Sequence, residues 1–265
     1  MTNNAGHSAA RHSVLSALLL ALCLSSTVSA DINVGAGGSL ALNGASIDLG
    51  CTDVSVGGTL TLDTGTLTNV RNFTILPGGV VQAGSSQVTL AGDWSNSGTF
   101  NAGSGRVNFV DAPACAASST ISGNTSFRVL NIVSGSGKTY RFAAGSTQTV
   151  AGMFTLTGIP GNPVQVRSTV PGSLAFIDAT VLQNIRDVAV TDMAASGMWL
   201  APYQANAAPG GRAERWFGEP DYARIPTLGG VSLIALCLFI LTISWRTFRT
   251  SSHRQLNFKD SKNAS

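Results

Sequence analysis

The tetrapeptide Gly37-Gly38-Ser39-Leu40 begins a pattern to which the chain returns as Gly57-Gly58-Thr59-Leu60, Gly78-Gly79-Val80-Val81 and Ser97-Gly98-Thr99-Phe100. Successive starts are separated by 20, 21 and 19 residues. Ten residues after each start lies an apolar side chain, at Ile47, Leu67, Val88 and Val107. Twelve residues after each start the series is Leu49, Asn69, Leu90 and Phe109, which is interrupted only at Asn69. A repeat of about 20 residues decides the fold class.

Each unit contains a third apolar cluster, represented by Val54, Phe73 and Trp94. Three short alternating segments per unit are typical of a coil whose inward side chains share a core with the coils stacked on it. Glu and Lys are nearly absent between residues 31 and 217, whereas Gly, Ser, Thr, Asn, Val and Leu dominate. The sequence therefore predicts an all-β chain, a right-handed parallel β-helix or β-solenoid with coils of about 20 residues. A β-sandwich is the alternative, because short strands with glycine turns also suit it.

The repeat loosens in the second half of this body. Residues 111–119 predict an inserted loop that contains Pro113 and Cys115. Strand-like alternation resumes at residues 127–132, 140–142, 150–156, 164–166 and 188–190. If coils continue to Phe217, the body at 31–217 holds roughly nine of them.

The N-terminus predicts export. Arg11 and His12 precede an apolar run at residues 14–24, and Val28-Ser29-Ala30 follows as a cleavage site of small residues. This order is that of a secretory signal peptide, assigned to residues 1–30. The alternative is an uncleaved N-terminal anchor.

The C-terminus predicts a membrane segment. Residues 228–245 carry no charge, and as a helix they would extend roughly 27 Å, which suits a transmembrane span. Arg246 and Arg249 follow at once and predict that the tail at 246–265 is a basic cytoplasmic segment. A linker at 218–227 ends in the motif Ile225-Pro226-Thr227-Leu228, whose last residue begins the helix.

This tail resembles the IPTL-type C-terminal sorting signals of Gram-negative bacteria, which combine a short motif, a membrane helix and a basic cluster. The resemblance implies recognition by an exosortase-type processing enzyme and a place in the cell envelope or on the cell surface. Residues 92–103, Gly-Asp-Trp-Ser-Asn-Ser-Gly-Thr-Phe-Asn-Ala-Gly, are similar to a repeat unit of bacterial secreted β-helix surface proteins. That second resemblance covers roughly residues 35–217 and implies architecture rather than activity.

Several function classes are excluded by composition. The three histidines, His7, His12 and His253, all lie outside the body, which removes histidine-dependent triads, zinc sites and acid–base catalysis from it. Residues 31–245 carry ten basic and twelve acidic side chains, a formal charge of −2, which argues against nucleic-acid binding. The only lysine there is Lys138. We therefore expect a protein that is not an enzyme and has no cofactor or metal.

Carboxylates are the remaining enzymatic candidates. Arg186 and Asp187 lie near Asp192 and Asp178, but a five-residue separation puts Asp187 and Asp192 on opposite faces of a regular strand. We expect these acids to cap corners or to lie in solvent. A calcium column would require an acid in each turn. The positions that match Asp63 are Asn43, Gly84 and Gly103, so no column of oxygen ligands is predicted.

Two further features leave alternatives open. Cys51 and Cys115 are the candidate disulfide pair, although their corners are about 14 Å apart along the coils, so residues 112–115 would have to fold back. Free thiols are the alternative. The aromatic residues Trp199, Tyr203 and Trp216-Phe217 predict either a sugar-binding platform or, preferably, a cap on the end of the core.

The sequence thus favours a non-enzymatic surface protein of the cell envelope, structural or adhesion-type, whose partners are the membrane and an extracellular polysaccharide or other surface ligand. The alternative is a β-helix protein of the extracellular matrix that binds or cleaves polysaccharide.

Overall fold

The structure is a computed structural model that describes residues 31–180, 182–208, 210–218 and 238–241. These residues form twenty β-strands. In chain order the strands are β1 (Ile32–Val34), β2 (Ser39–Ala41), β3 (Ser46–Val56), β4 (Thr59–Thr61), β5 (Thr66–Ile75), β6 (Val80–Gln82), β7 (Gln87–Leu90), β8 (Trp94–Asn96), β9 (Thr99–Asn101), β10 (Arg106–Phe109), β11 (Ser118–Ser122), β12 (Thr125–Val133), β13 (Thr139–Phe142), β14 (Thr147–Thr157), β15 (Val164–Ser168), β16 (Ala175–Ala179), β17 (Leu182–Arg186), β18 (Val188–Thr191), β19 (Met193–Ala195) and β20 (Ala213–Glu214).

The strands pair in parallel with the equivalent strands of neighbouring coils. The chain is an all-β parallel β-solenoid of about nine turns, with coils of about 21 residues. This confirms the predicted all-β parallel solenoid and its coil length, and the alternative of a β-sandwich is wrong.

The coils present three faces. Face A contains β2, β4, β6 and β9, followed by the first parts of β12 and β14, and by β16, β19 and β20. Face B contains the first parts of β3 and β5, then β7, β10, the second parts of β12 and β14, and β17. Face C contains β1, the second parts of β3 and β5, then β8, β11, β13, β15 and β18. The longest strands therefore bend around a corner and serve two faces.

The predicted columns of apolar residues lie in register. Ile47 pairs with Leu67, Leu67 with Val88, and Val88 with Val107. The interruption at Asn69 is a bulge: its φ is 52°, the register shifts there, and Val70 takes the place opposite Leu90. The extra residue is absorbed before Phe73, which pairs with Trp94, so the inward apolar column is kept.

The core is filled by side chains stacked from coil to coil. Under face C, Val54, Phe73, Trp94, Ile121 and Phe142 follow one another in register, and each is at most 1% exposed. The rings of Phe73 and Trp94 stack with centroids 4.9 Å apart. Each such side chain contributes about 1.5–3 kcal/mol by burial. One coil has nothing to bury its inward face against, so stability comes from stacking.

The described strands all lie in the first of two compact units, Met1–Gly218. In the second, Glu219–Ser265, residues 238–241 are helical and exposed. Among the described residues, no helix combines the length and apolar character needed to cross a membrane. The predicted signal peptide 1–30, linker residues 219–227, the rest of the predicted span 228–245 and the tail 246–265 lie outside the described residues.

Candidate functional site

Short polar side chains at one corner of the solenoid join successive coils. Asp31 Oδ1 accepts a hydrogen bond from the amide of Asp53 (3.0 Å), and Asp53 Oδ1 accepts one from the amide of Asn72 (3.1 Å). Asn72 Oδ1 accepts from the amide of Asp93 (2.8 Å), and Asp93 Oδ1 from the amide of Thr120 (2.7 Å). We call these five residues the axial ladder. Each immediately precedes an apolar residue on face C, where a short acceptor can reach the corner amide of the next coil.

One member of the axial ladder, Asp53, also forms an ion pair. Arg71 donates from Nε and from one terminal nitrogen to the two carboxylate oxygens of Asp53, at 2.8 and 2.7 Å. The Arg71 guanidinium, followed by smaller contributions that include the Asn72 amide, holds the pKa of Asp53 below its ordinary value although burial opposes this. Asp53 is therefore ionised and fixed.

A row of hydroxyl groups runs beside the axial ladder. Ser55, Thr74, Ser95 and Ser122 pair in register on face C and are half-buried. Together with Asp53, Asn72, Asp93 and Thr120 they line a shallow groove of about 420 Å³ that runs across the strands. We call this the face C groove. It was not predicted, although the sequence carried a signal: Asp53, Asn72 and Asp93 each precede a member of the apolar column that was recognised.

The predicted acidic candidates are not brought together. Asp187 and Asp192 lie at the two ends of β18, at different corners, with φ of 51° and 55°. Asp192 is buried, and its Oδ2 accepts a hydrogen bond from the amide of Gly172 at 2.8 Å. Asp178 lies on β16 of face A, and its Oδ1 is buried with no hydrogen-bond partner among the described residues. The carboxylate of Asp192 thus stabilises a turn.

The column Asn43, Asp63, Gly84 and Gly103 has a backbone explanation. All four residues have positive φ, at 51°, 54°, 61° and 55°. Asn, Asp and Gly are the residues that adopt this conformation most readily. Within the residues that the structure describes, no group of three or more His, Cys, Asp or Glu side chains is placed to hold a metal ion.

Lys138 is buried, which the sequence does not predict. Its Nζ donates to the carbonyls of Ala91 and Val110, and lies 5.3 Å from the centre of the Tyr140 ring. Burial lowers the pKa of Lys138, although nearby acids oppose this. Burial likewise raises the pKa of Tyr140, whose hydroxyl has no partner in the described part of the chain. The ammonium group thus donates hydrogen bonds to backbone carbonyls of two coils, at the point where the insertion leaves the solenoid.

Asp111 organises the following turn. Its Oδ2 accepts from the Ser134 hydroxyl (3.0 Å) and from the amides of Gly135 (2.8 Å) and Ser136 (2.9 Å). Burial opposes its ionisation, but these donors outweigh burial and hold the pKa of Asp111 below its ordinary value. Asp111 and Lys138 therefore act on the backbone, in the manner of caps.

The insertion is tied to the start of the solenoid. Cys51 and Cys115 form a disulfide that joins residues 64 apart in sequence, with Cα atoms 5.6 Å apart. Residues 112–116 fold back through an antiparallel bridge between Ala112 and Ala116. The bond links the first coil to the segment that follows the fourth.

The aromatic candidates divide into two kinds. Trp216 is buried, bridges to Leu200 and contacts Phe217 with ring centres 5.9 Å apart, so this pair closes the last coils. Tyr203 is 79% exposed, and Trp199 is half-buried. Neither of the latter two lines the face C groove.

The predicted sorting motif Ile225–Leu228 and the topology residues Arg246 and Arg249 lie outside the described residues. What the structure offers chemically is a shallow groove whose lining presents hydroxyl, amide and carboxylate groups. Compared with protein-family models, with curated proteins and with solved structures, the chain has no match.

Proposed function

We propose that this chain is a non-enzymatic β-solenoid displayed at the cell envelope of a Gram-negative bacterium, as a structural or adhesion-type surface protein. It is exported through residues 1–30 and either held by the helix at 228–245 or sorted through Ile225–Leu228 by an exosortase-type enzyme. The observation that carries the proposal is the axial ladder, because its polar side chains form hydrogen bonds that join each coil to the next. A solenoid whose coils are joined in this way suits a structural or adhesion-type role at the cell surface.

Location is tested on intact cells that express the full chain. An external protease or a membrane-impermeant label should reach the solenoid if it is displayed outside the cell. Protection in intact cells together with cleavage after cell lysis would contradict surface display.

Sorting is tested by Pro226→Ala, with Pro220→Ala in the same linker as the matched control. If an enzyme reads the motif, Pro226→Ala should change the mature mass or the surface level, and Pro220→Ala should change neither. Unchanged mass and display in both variants would leave a plain membrane anchor.

The alternative is a protein of the extracellular matrix that cleaves or binds polysaccharide. Cleavage predicts turnover of acidic or neutral glycans, with or without Ca²⁺, that is lost on Asp187→Asn. Observation of such turnover would overturn the non-enzymatic proposal. The face C groove is the observation that favours binding.

A further inference from the structure

The geometry points to a glycan-binding site in the face C groove: we propose that it holds an extended polysaccharide of neutral or amino sugars along the solenoid axis. This inference rests on the proposed adhesion-type function and names its ligand. Adjacent parallel strands are about 4.8 Å apart, so Ser55, Thr74, Ser95 and Ser122 repeat at that interval. A pyranose ring in an extended β-linked chain advances by a similar length. Consecutive coils can therefore hydrogen-bond to consecutive rings.

The carboxylate and amide groups of the groove are held in place before any ligand arrives. Asp53, Asn72 and Asp93 are each fixed by a hydrogen bond to the amide of the next coil. The hydroxyls of Ser55, Thr74 and Ser95 project from short, half-buried side chains on paired strands. Little side-chain entropy remains to be lost on binding, which favours affinity from hydrogen bonds alone.

The charge of the groove selects among polysaccharides. Its lining contains the carboxylates of Asp53 and Asp93 and no basic side chain. Asp53 is compensated by Arg71, whereas Asp93 is exposed and forms no ion pair among the described residues. Carboxylates repel polyuronates and attract the ammonium group of a de-N-acetylated amino sugar. The site therefore takes neutral glycans, prefers amino-sugar glycans and rejects polyuronates.

The test uses the full chain purified in mild detergent and titrated calorimetrically with three polymers. These are a neutral β-linked glucan, a partly de-N-acetylated β-linked glucosamine polymer and polygalacturonate. We expect binding of the first two, with the amino-sugar polymer bound more tightly and its advantage reduced by salt. Polygalacturonate should not bind.

Substitutions then place the ligand. Thr74→Val and Ser95→Ala should each weaken binding of the neutral glucan about two- to tenfold, as expected for one lost hydrogen bond. Thr61→Val is the matched control, because Thr61 is a half-buried strand residue on face A. Asp93→Asn keeps an oxygen for the Thr120 amide, so it should remove the preference for the amino-sugar polymer over the glucan. Circular dichroism establishes that each variant is folded.

The proposal is overturned if none of the polymers binds, if polygalacturonate binds best, or if Thr61→Val weakens binding as much as Thr74→Val. Failure here is distinguishable from failure of the proposed function, because surface display is measured independently on intact cells. A displayed chain that binds no glycan refutes only the ligand assignment. Glycan binding by a chain that is not displayed refutes only the surface role.

Discussion

Removal of the Cys51–Cys115 disulfide should strongly destabilise the solenoid. The bond closes a loop of 64 residues, and the chain-entropy relation assigns such a loop about 4 kcal/mol of folding free energy. In a body of this size 1 kcal/mol shifts the Tm by roughly 2–4 °C, so the Tm should fall by about 10 °C. The loss should be greatest in the first four coils, because the bond joins the first coil to the segment after the fourth.

The matched perturbation is the double variant Cys51→Ala/Cys115→Ala. Cys51 has a φ of 76°, and alanine bears the same backbone penalty there, so the comparison isolates the bond. Thermal and urea unfolding of the full chain are followed by circular dichroism, with and without dithiothreitol. Reductant should lower the wild-type midpoint to that of the variant and leave the variant unchanged. The comparison is made under oxidising conditions with the bond intact in the wild type. Free energies of unfolding that agree within about 1 kcal/mol between wild type and variant would refute the reasoning.

Three further predictions concern single positions. Gly123→Ala should lower the free energy of unfolding by several kcal/mol, because a Cβ there would lie 1.9 Å from the Asn96 carbonyl oxygen. Gly145 has a similar φ but open space around it, so Gly145→Ala should lower it by only about 1–2 kcal/mol. Urea unfolding measures both. Asp53 has a pKa lowered chiefly by Arg71, so its stabilising contribution is present above the ordinary value of 3.8 and is lost as the pH falls through the lower folded pKa. Asp53→Asn should therefore flatten the acid limb of a stability–pH curve, and an unchanged limb would contradict this. Lys138 has a pKa lowered by burial, so the native state releases its proton first and stability should rise as the pH approaches 10.5. Lys138→Met should abolish that rise, and persistence of the rise in the variant would assign it to another group.

The repeat could be predicted because inward side chains obey one simple rule. Leu67, Val88 and Val107 recur at the coil period, since each must pack on the coil before it. Asn69 broke the rule because a bulge adds a residue without changing the column that follows. Periodicity in the sequence contains no direct sign of such a bulge, whose evidence is a positive φ.

The site was less predictable, because its residues serve two purposes. Asp63 and Asn43 carry oxygen atoms that could act as ligands, yet their common property is a left-handed backbone, which Gly84 and Gly103 share. Asp53, Asn72 and Asp93 were each one position before a recognised column, but their value depends on contacts between coils. The burial of Lys138 depends on where the insertion leaves the solenoid, which no local pattern encodes.

The axial ladder also makes the length of this protein a discrete quantity. Each rung reaches only the next coil, so the bonding pattern contains no reference to how many coils there are. A duplication or deletion of one whole coil restores the same neighbours at its junction and changes the height by about 4.8 Å. An insertion of a few residues has no such equivalent and must leave the stack, as residues 110–117 do. Evolution of this body should therefore proceed in steps of one coil, with smaller changes confined to outgrowths at the corners.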